Sequence, residues 1–438
     1  MRKLLIFSIL FFGVMAVVAE ELVLTLDKAI DLALHKDFSY RISQKQVEVY
    51  KQRLKNIGLL PQITLEGGKN LDEKLQVLEI PSFTGGEPQR VTLDFTRNYE
   101  FTLQVLQPVF TGGKAYLGFR NSLLDLKSSR EQLENSREET VLKVKKSYYN
   151  ILVMQEYLKS QQEACSLTEK NLQNVRQKVE MGLVTKYDLL RAELAVSSQI
   201  PEVKRAQNLF EISILNLKNI LQLPEETALK ITEKLIIPEF DTELEKLLTF
   251  GLQNRFELKQ LALEKEKLSN LLKMAYGQFL PTISIVARYS YRSDFFNFHK
   301  DNWEDYYSIN LAVSLPVFPG LSRNAQIGEL RVSQKILELN REMLSSGTSL
   351  EIKSRVKTIQ QEFENIALAE KNLELAHEAV RIAELNYQEG LVSILELNSS
   401  FNELSKAKVA MLQAIYNCQI NIAELEKMAG IRYKGVEK

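Results

Sequence analysis

Cysteine and histidine are nearly missing from this chain, which has two and three respectively in 438 residues. Cys165 and Cys418 both fall inside helical patterns. A disulfide between them would need those two helices to touch, and two unpaired packing thiols are the expectation. His35, His299 and His377 are scattered without ligand spacing, so neither a metal site nor a cofactor is expected. Net charge is also absent, with 56 basic and 56 acidic residues. That balance lacks the basic footprint of a nucleic-acid binder, and no nucleic-acid partner is expected. There is no Gly-rich phosphate loop and no Ser/His/Asp arrangement, so the chain does not read as an enzyme. Acid pairs such as Glu138-Glu139 read as solvated helix surface. Glycine (18) and proline (10) are scarce and bunched, which leaves room for very long helices.

Long apolar runs are missing too, except at the start. Arg2-Lys3 precede an apolar stretch from Leu4 to Val18, and Val17-Val18-Ala19 lead into Glu20-Glu21. This pattern predicts a signal peptide over residues 1–19, because the run is shorter than the ~20 residues that span a bilayer. No cysteine lies near that cleavage point, so lipid attachment there is not expected. The protein reads as exported, and strands must make any membrane crossing.

What is present is a stretch that occurs twice. Residues 179–190 read Val-Glu-Met-Gly-Leu-Val-Thr-Lys-Tyr-Asp-Leu-Leu, and 387–397 read Tyr-Gln-Glu-Gly-Leu-Val-Ser-Ile-Leu-Glu-Leu. Each copy interrupts a helical pattern at Gly182 or Gly390, followed by Leu183-Val184-Thr185 or Leu391-Val392-Ser393. The glycine suits a helix C-terminus and the hydroxyl suits the next N-cap, so each copy predicts a sharp reversal between antiparallel helices. Gln107-Pro108-Val109-Phe110 and Leu315-Pro316-Val317-Phe318 give the same spacing: 390 − 182 and 318 − 110 are both 208. The chain is a tandem duplication.

The first repeat is expected over 20–223. It has an amphipathic helix capped by Thr25 and running through Ile57, and strands at about 62–69 and 98–107. A loop rich in Gly, Pro and charge separates them (about 70–92), and helices follow at 114–181 and 186–221. A connector (224–240) leads to the second repeat (241–428). Its first helix ends near 276, strands lie at about 282–291 and 306–315, and helices at 322–388 and 393–428. A short tail (429–438) closes the chain. The proline-free run from Lys114 amounts to roughly 100 Å of helix, the length of a coiled-coil rod or of a stave in a helical barrel.

The four principal strands are two-faced. Tyr99, Phe101, Leu103 and Val105 alternate with polar residues, as do Ile283, Ile285, Ala287, Tyr289 and Tyr291, and Tyr307, Ile309, Leu311, Val313 and Leu315. This is the pattern of membrane barrel staves. Four strands cannot close, so other copies must complete them: two chains give eight strands and three give twelve. Phe295, Phe296, Phe298, Trp303, Tyr306 and Tyr307 cluster as an interfacial girdle would. Two other readings stay open on the residues alone. One is a soluble hairpin packed on helices, and the other an exported coiled-coil scaffold or adhesin without channel activity.

The Leu-Thr-Leu-Asp-Lys-Ala-Ile-Asp-Leu-Ala opening at 24–33, both Leu-Pro strand starts and both Gly-Leu-Val-Thr/Ser turns carry a specific likeness. Over nearly all its mature length the chain resembles the TolC family of outer-membrane channel proteins. The resemblance implies a mainly α fold with a small β part. Long antiparallel helices would form an α-helical barrel in a homotrimer, and four strands per chain would enter a shared twelve-stranded transmembrane β-barrel. It implies location in the outer membrane with extension into the periplasm, in contact with outer-membrane lipid. The partners would be a periplasmic adaptor (membrane fusion protein) and an inner-membrane transporter, for efflux or type I secretion. Asp188 and Tyr387 fall on positions whose links close the periplasmic mouth, and Glu396 falls on an acid ringing the constriction. Ser399 stands where the second ring acid would be, and Val392 replaces an arginine of the closing links. The tips Gly182–Thr185 and Gly390–Ser393 would dock the adaptor. Asp188 and Glu396 have a plainer reading as first-turn acids favoured by the helix dipole, and Tyr387 as a packing residue.

Overall fold

The computed structural model describes residues 22–55, 60–69, 71, 76–80, 89–93, 99–240, 243–297, 299 and 302–433. The signal segment 1–19, Phe298 and residues 434–438 of the tail therefore lie outside the described residues. In chain order the elements are β1 (Leu22–Leu24), α1 (Leu26–Lys36), α2 (Phe38–Arg53), β2 (Gln62–Lys69), β3 (Gln76–Ile80), β4 (Gln89–Leu93), β5 (Tyr99–Thr111), α3 (Lys114–Glu180) and α4 (Lys186–Leu221). The second repeat continues with β6 (Leu229–Ile231), α5 (Leu244–Asn254), α6 (Phe256–Gly277), β7 (Thr282–Ser293), β8 (Glu304–Ser314), α7 (Ser322–Gln388) and α8 (Ile394–Ala429). Residue separation between α3 and α7 is 208 at both ends (322 − 114; 388 − 180), and so it is between α4 and α8 (394 − 186; 429 − 221).

Two compact units divide the chain, interleaved in sequence: one holds the described residues of 1–45, 131–259 and 344–438, the other those of 46–130 and 260–343. The first is largely helical, and two of its cores correspond across the repeats. Leu24, Ala29, Ile30, Val144, Tyr148, Ile151, Leu217 and Leu221 belong to one, and Leu247, Ile352, Val356, Ile359, Leu425 and Ala429 form the other. Val144, Tyr148 and Ile151 correspond to Ile352, Val356 and Ile359 at the 208-residue spacing. The same step takes Leu217 and Leu221 to Leu425 and Ala429. Duplication thus repeats the core packing as well as the helices. Burial of these apolar faces, and not helix propensity, is what stabilises such elements.

The initial helix of each repeat departs from the expected single span. Periodicity runs unbroken across Asp37 and Arg255, yet both residues leave the helix (ψ 128° and 130°). Asp37 donates its N–H to the Ala33 carbonyl (2.7 Å) and accepts from the Tyr40 amide (3.0 Å), so it ends α1 and starts α2. Arg255 turns its guanidinium to Thr348 (3.0 Å), Glu351 (2.6 Å) and Glu257 (3.0 Å). A one-residue break barely shifts a 3.6-residue pattern, which hides it from periodicity. The connector also contains a strand: β6 pairs in parallel with β1, Leu22 opposite Leu229. Glu233 accepts from Tyr148 Oη (2.8 Å) and from the Leu26 amide (3.3 Å), which tethers the connector to the start of α1. Cys165 and Cys418 are free thiols, the latter buried among Ile366, Ala414 and Ile415.

In the second unit the strands form one antiparallel sheet in the order β2-β5-β7-β8. The expected loop at about 70–92 is in part a hairpin, with β3 antiparallel to β4. β5 also runs beyond 107, through Pro108 to Thr111. The register shifts between Pro108 and Phe110, leaving Val109 as an extra residue, so proline sits at a bulge that needs no ladder donor there. Gly112 (φ +61°) and Gly277 meet backbone to backbone. A Cβ on Gly112 would lie 2.2 Å from the Gly277 carbonyl oxygen, so neither position accepts a side chain.

Candidate functional site

The two repeated turns are the first candidate site, and both are built by the same local rules. Gly182 (φ +72°) and Gly390 (φ +77°) adopt the left-handed conformation. Leu183 N–H donates to the Lys178 carbonyl (2.8 Å) and Gly182 N–H to Val179 (3.0 Å). Leu391 and Gly390 do the same to Asn386 (2.8 Å) and Tyr387 (3.2 Å). Each is a Schellman closure of the long helix. Three residues on, Thr185 and Ser393 cap α4 and α8 in reciprocal capping boxes. The Asp188 carboxylate accepts from the Thr185 amide (3.0 Å) and hydroxyl (2.7 Å), and Glu396 accepts from the Ser393 amide (2.8 Å) and hydroxyl (3.3 Å). The Thr185 hydroxyl and amide, with Arg191 nearby, hold the Asp188 carboxyl below the usual aspartate range.

Both predicted acids are thus committed to local caps. The Ser/Thr-x-x-Asp/Glu spacing already carried that signature in the sequence. Asp188 and Tyr387 are not joined by any hydrogen bond among the described residues. Tyr387, half-buried and with its hydroxyl pushed up by that burial, faces Lys178 of α3 instead, the ammonium 5.3 Å from the ring centre. Sequence reasoning missed this cross-repeat contact, since nothing in either stretch pairs the last turns of α3 and α7. Ser399 is exposed and Val392 half-buried. Around the turns, Leu183, Tyr187, Leu190, Leu194 and Leu391 are all largely exposed.

Further along the same helices the contacts across the repeats are polar. Asn171 meets Asn398 (3.4 Å), Gln199 meets Asn402 (3.3 Å), Ser160 meets Ser405 (2.8 Å), and Glu163 pairs with Lys408 (3.0 Å). This places α8 beside both α3 and α4. No group of three or more His, Cys, Asp or Glu able to hold a metal occurs among the described residues.

The sheet is the second candidate surface. Its register aligns Leu65, Leu103, Tyr289 and Tyr307 in one row, and Ile63, Val105, Ala287 and Ile309 in the next, all on one face. Tyr307, Ile309 and Leu65 are each 72% exposed, so much of this apolar face is uncovered by the described residues. At one end Trp303 stacks on Tyr291 (5.0 Å) and packs near Phe101 (5.7 Å), while Tyr99 meets Phe296 (5.3 Å). Tyr306 departs from the expected girdle: it pairs with Ser290 on the opposite, polar face. Among the described residues no helix is long and apolar enough to cross a membrane.

Comparison with known proteins follows the same lines. The sequence profile described as "Outer membrane efflux protein" matches residues 38–221 and 248–431, one block per repeat. The chain is 23% identical over 265 residues to nodulation protein T of Rhizobium leguminosarum bv. viciae, covering 59% of this chain and 52% of that protein. It spans about half the length of that curated relative. Among solved structures, the Campylobacter jejuni CmeC outer membrane channel superposes with a TM-score of 0.75 at 18% identity, over 94% of this chain and 87% of the other. The open state of the Neisseria gonorrhoeae MtrE outer membrane channel gives 0.72 at 17% identity, over 93% and 89%. These structural neighbours are channels, not enzymes, and they share the fold of helices with a β part. With a profile matching both repeats over most of the sequence, the chain belongs to the outer membrane efflux protein family.

Proposed function

We propose that three copies of this chain form a passive exit duct through the outer membrane, serving an inner-membrane transporter through a periplasmic adaptor. The observation that carries this is the sheet, whose apolar face is exposed and whose two edges, β2 and β8, have no strand partner among the described residues. Successive strands alternate in direction, so β2 and β8 run opposite ways. Copies set side by side therefore join β8 to the next β2 antiparallel, and three copies close twelve strands. Closure is obligatory in lipid, where each unpaired backbone group costs several kcal/mol. The polar face then lines the lumen and the apolar face meets lipid. Exposed apolar stripes on α4 (Leu190, Leu194, Ile212) and α7 (Leu368, Leu375, Ile382) offer matching seams for the helical wall.

In this reading the turns at Gly182–Thr185 and Gly390–Ser393 are the periplasmic tips that dock the adaptor, presenting Leu183, Tyr187 and Leu391. Glu396 and Ser399 line the narrowest point, while Asp188 and Tyr387 stiffen the closed mouth. Cargo is chosen by the transporter, which delivers it into the duct.

The test is single-channel recording of detergent-extracted protein in a planar bilayer, with the oligomer mass measured alongside. Small, steady, cation-selective steps from a trimer are expected. A monodisperse protein that washes off in buffer and gives no steps would leave an exported helical scaffold in its place.

A further inference from the structure

On the polar face of the sheet, one row across all four strands consists of Thr64, Gln104, Arg288 and Ser308. Arg288 is its single charge. The row on one side (Gln62, Leu106, Val286, Asn310) has no charge at all, and the row on the other (Glu66, Thr102, Ser290, Tyr306) has one, Glu66, two strands away on β2. Two rows away on the other side stands a second arginine, Arg292, but Glu100 neutralises it through both Nε (3.1 Å) and Nη2 (2.9 Å). Arg288 has no such partner. Its Nε donates to the neutral Oε1 of Gln104 at 2.8 Å, and among the described residues no carboxylate lies within ion-pair distance of it. The side chain is exposed. Gln104 thus fixes one edge of the guanidinium and, among the described residues, leaves both terminal amino groups of the fork without a protein acceptor. Such a fork suits a carboxylate or phosphate, which it can engage with two parallel hydrogen bonds.

We infer that three copies of Arg288 form a cationic ring inside the β-barrel that transiently binds carboxylate or phosphate groups of anionic cargo. This rests on the trimeric duct proposed above. β7 is an interior strand whose neighbours, β5 and β8, come from its own chain, so closure by other copies brings no foreign strand beside Arg288. Twelve strands spaced about 4.8 Å apart and tilted about 40° enclose a barrel roughly 24 Å across at the backbone. Arginines reaching inward leave a lumen whose radius is no larger than the Debye length of about 8 Å at physiological salt. The field of the ring therefore reaches the axis at that level, while the carboxylates at the narrower Glu396 end set the selectivity between small ions. Because the site is hydrated and open, the contact is weak enough to release what it attracts, as conduction requires.

The experiment uses the full-length protein in a planar bilayer with inorganic tripolyphosphate added on the extracellular side. Wild-type steps should be blocked. Arg288→Gln should need about tenfold more tripolyphosphate, the worth of one charge-assisted contact at an exposed site, with its unblocked conductance retained. Arg288→Lys should fall between them, keeping the charge without the fork, and Gln104→Leu should weaken block by releasing the guanidinium. Wild-type steps insensitive to tripolyphosphate, or equal block of Arg288→Gln, would overturn the ring while leaving the duct standing. Absence of steps from every variant would overturn the duct itself, and the ring with it.

Discussion

The Glu396 carboxylate has two separable roles, and one pair of substitutions tells them apart. Its Oε2 accepts the Ser393 amide at 2.8 Å, while the Glu396 amide donates to the Ser393 hydroxyl at 3.3 Å. Glu396→Gln keeps an acceptor at that place, since glutamine also serves a capping box, but removes three negative charges from a trimer. Ser393→Ala does the reverse: it deletes the hydroxyl acceptor and leaves the charge. Loss of a serine cap costs about 1 kcal/mol, or about a fivefold rise in local opening of the first turn of α8. Hydrogen exchange at the 394–397 amides should register that rise in Ser393→Ala and little change in Glu396→Gln. Block of single-channel current by a trivalent cation should behave oppositely, lost in Glu396→Gln and retained in Ser393→Ala. If Glu396→Gln is blocked as strongly as wild type, the carboxylate is a cap alone and the constriction lies elsewhere. If Ser393→Ala loses block equally, tip geometry and not charge governs the effect.

Gly251→Ala should destabilise the helical unit by about 1–3 kcal/mol, because the new Cβ would sit 2.5 Å from Ile352 Cδ1. Adding Ile352→Val, which removes that atom, should recover part of the loss, so thermal melts of the double variant should show less than the sum of the two singles. Glu138 is raised above the ordinary glutamate range, chiefly by burial, against the Tyr433 amide and Arg137 that favour its charge. A raised acid binds protons more readily folded than unfolded, so native stability should fall as pH rises from 4.5 through the folded pKa. Glu138→Gln should flatten that slope in pH-dependent melting and raise the neutral-pH midpoint. Asp188 is shifted the other way, so its contribution is present above 3.8 and lost as pH falls through the folded pKa. Thr185→Ala should return the Asp188 titration, followed by isotope-edited infrared spectroscopy, toward 3.8, and an unmoved titration would refute the cap as its cause.

Much of the helical plan can be read from the residues. The predicted spans 186–221 and 322–388 coincide with α4 and α7, and the turns between long helices fall at Gly182 and Gly390. These are local matters, settled by a glycine free to take positive φ, a hydroxyl placed to cap, and apolar residues at helical spacing. The breaks at Asp37 and Arg255 escape the same logic. They depend on what the side chains reach elsewhere, Thr140 and Lys143 for Asp37 and Glu351 for Arg255. Likewise the β1–β6 pairing joins three-residue strands some 200 positions apart, too short for any periodic signal.

By itself, then, the sequence determined the duplication, the long antiparallel helices and the two-faced strands, because repetition, capping and periodicity act between near neighbours. Only the tertiary structure decided which residues share a row or a helix tip. It set Lys178 under Tyr387, and it gave Arg292 a carboxylate while leaving Arg288 beside a neutral amide. Such partnerships follow from the register of strands and the docking of helices separated by up to 209 residues (387 − 178), and no local pattern encodes them.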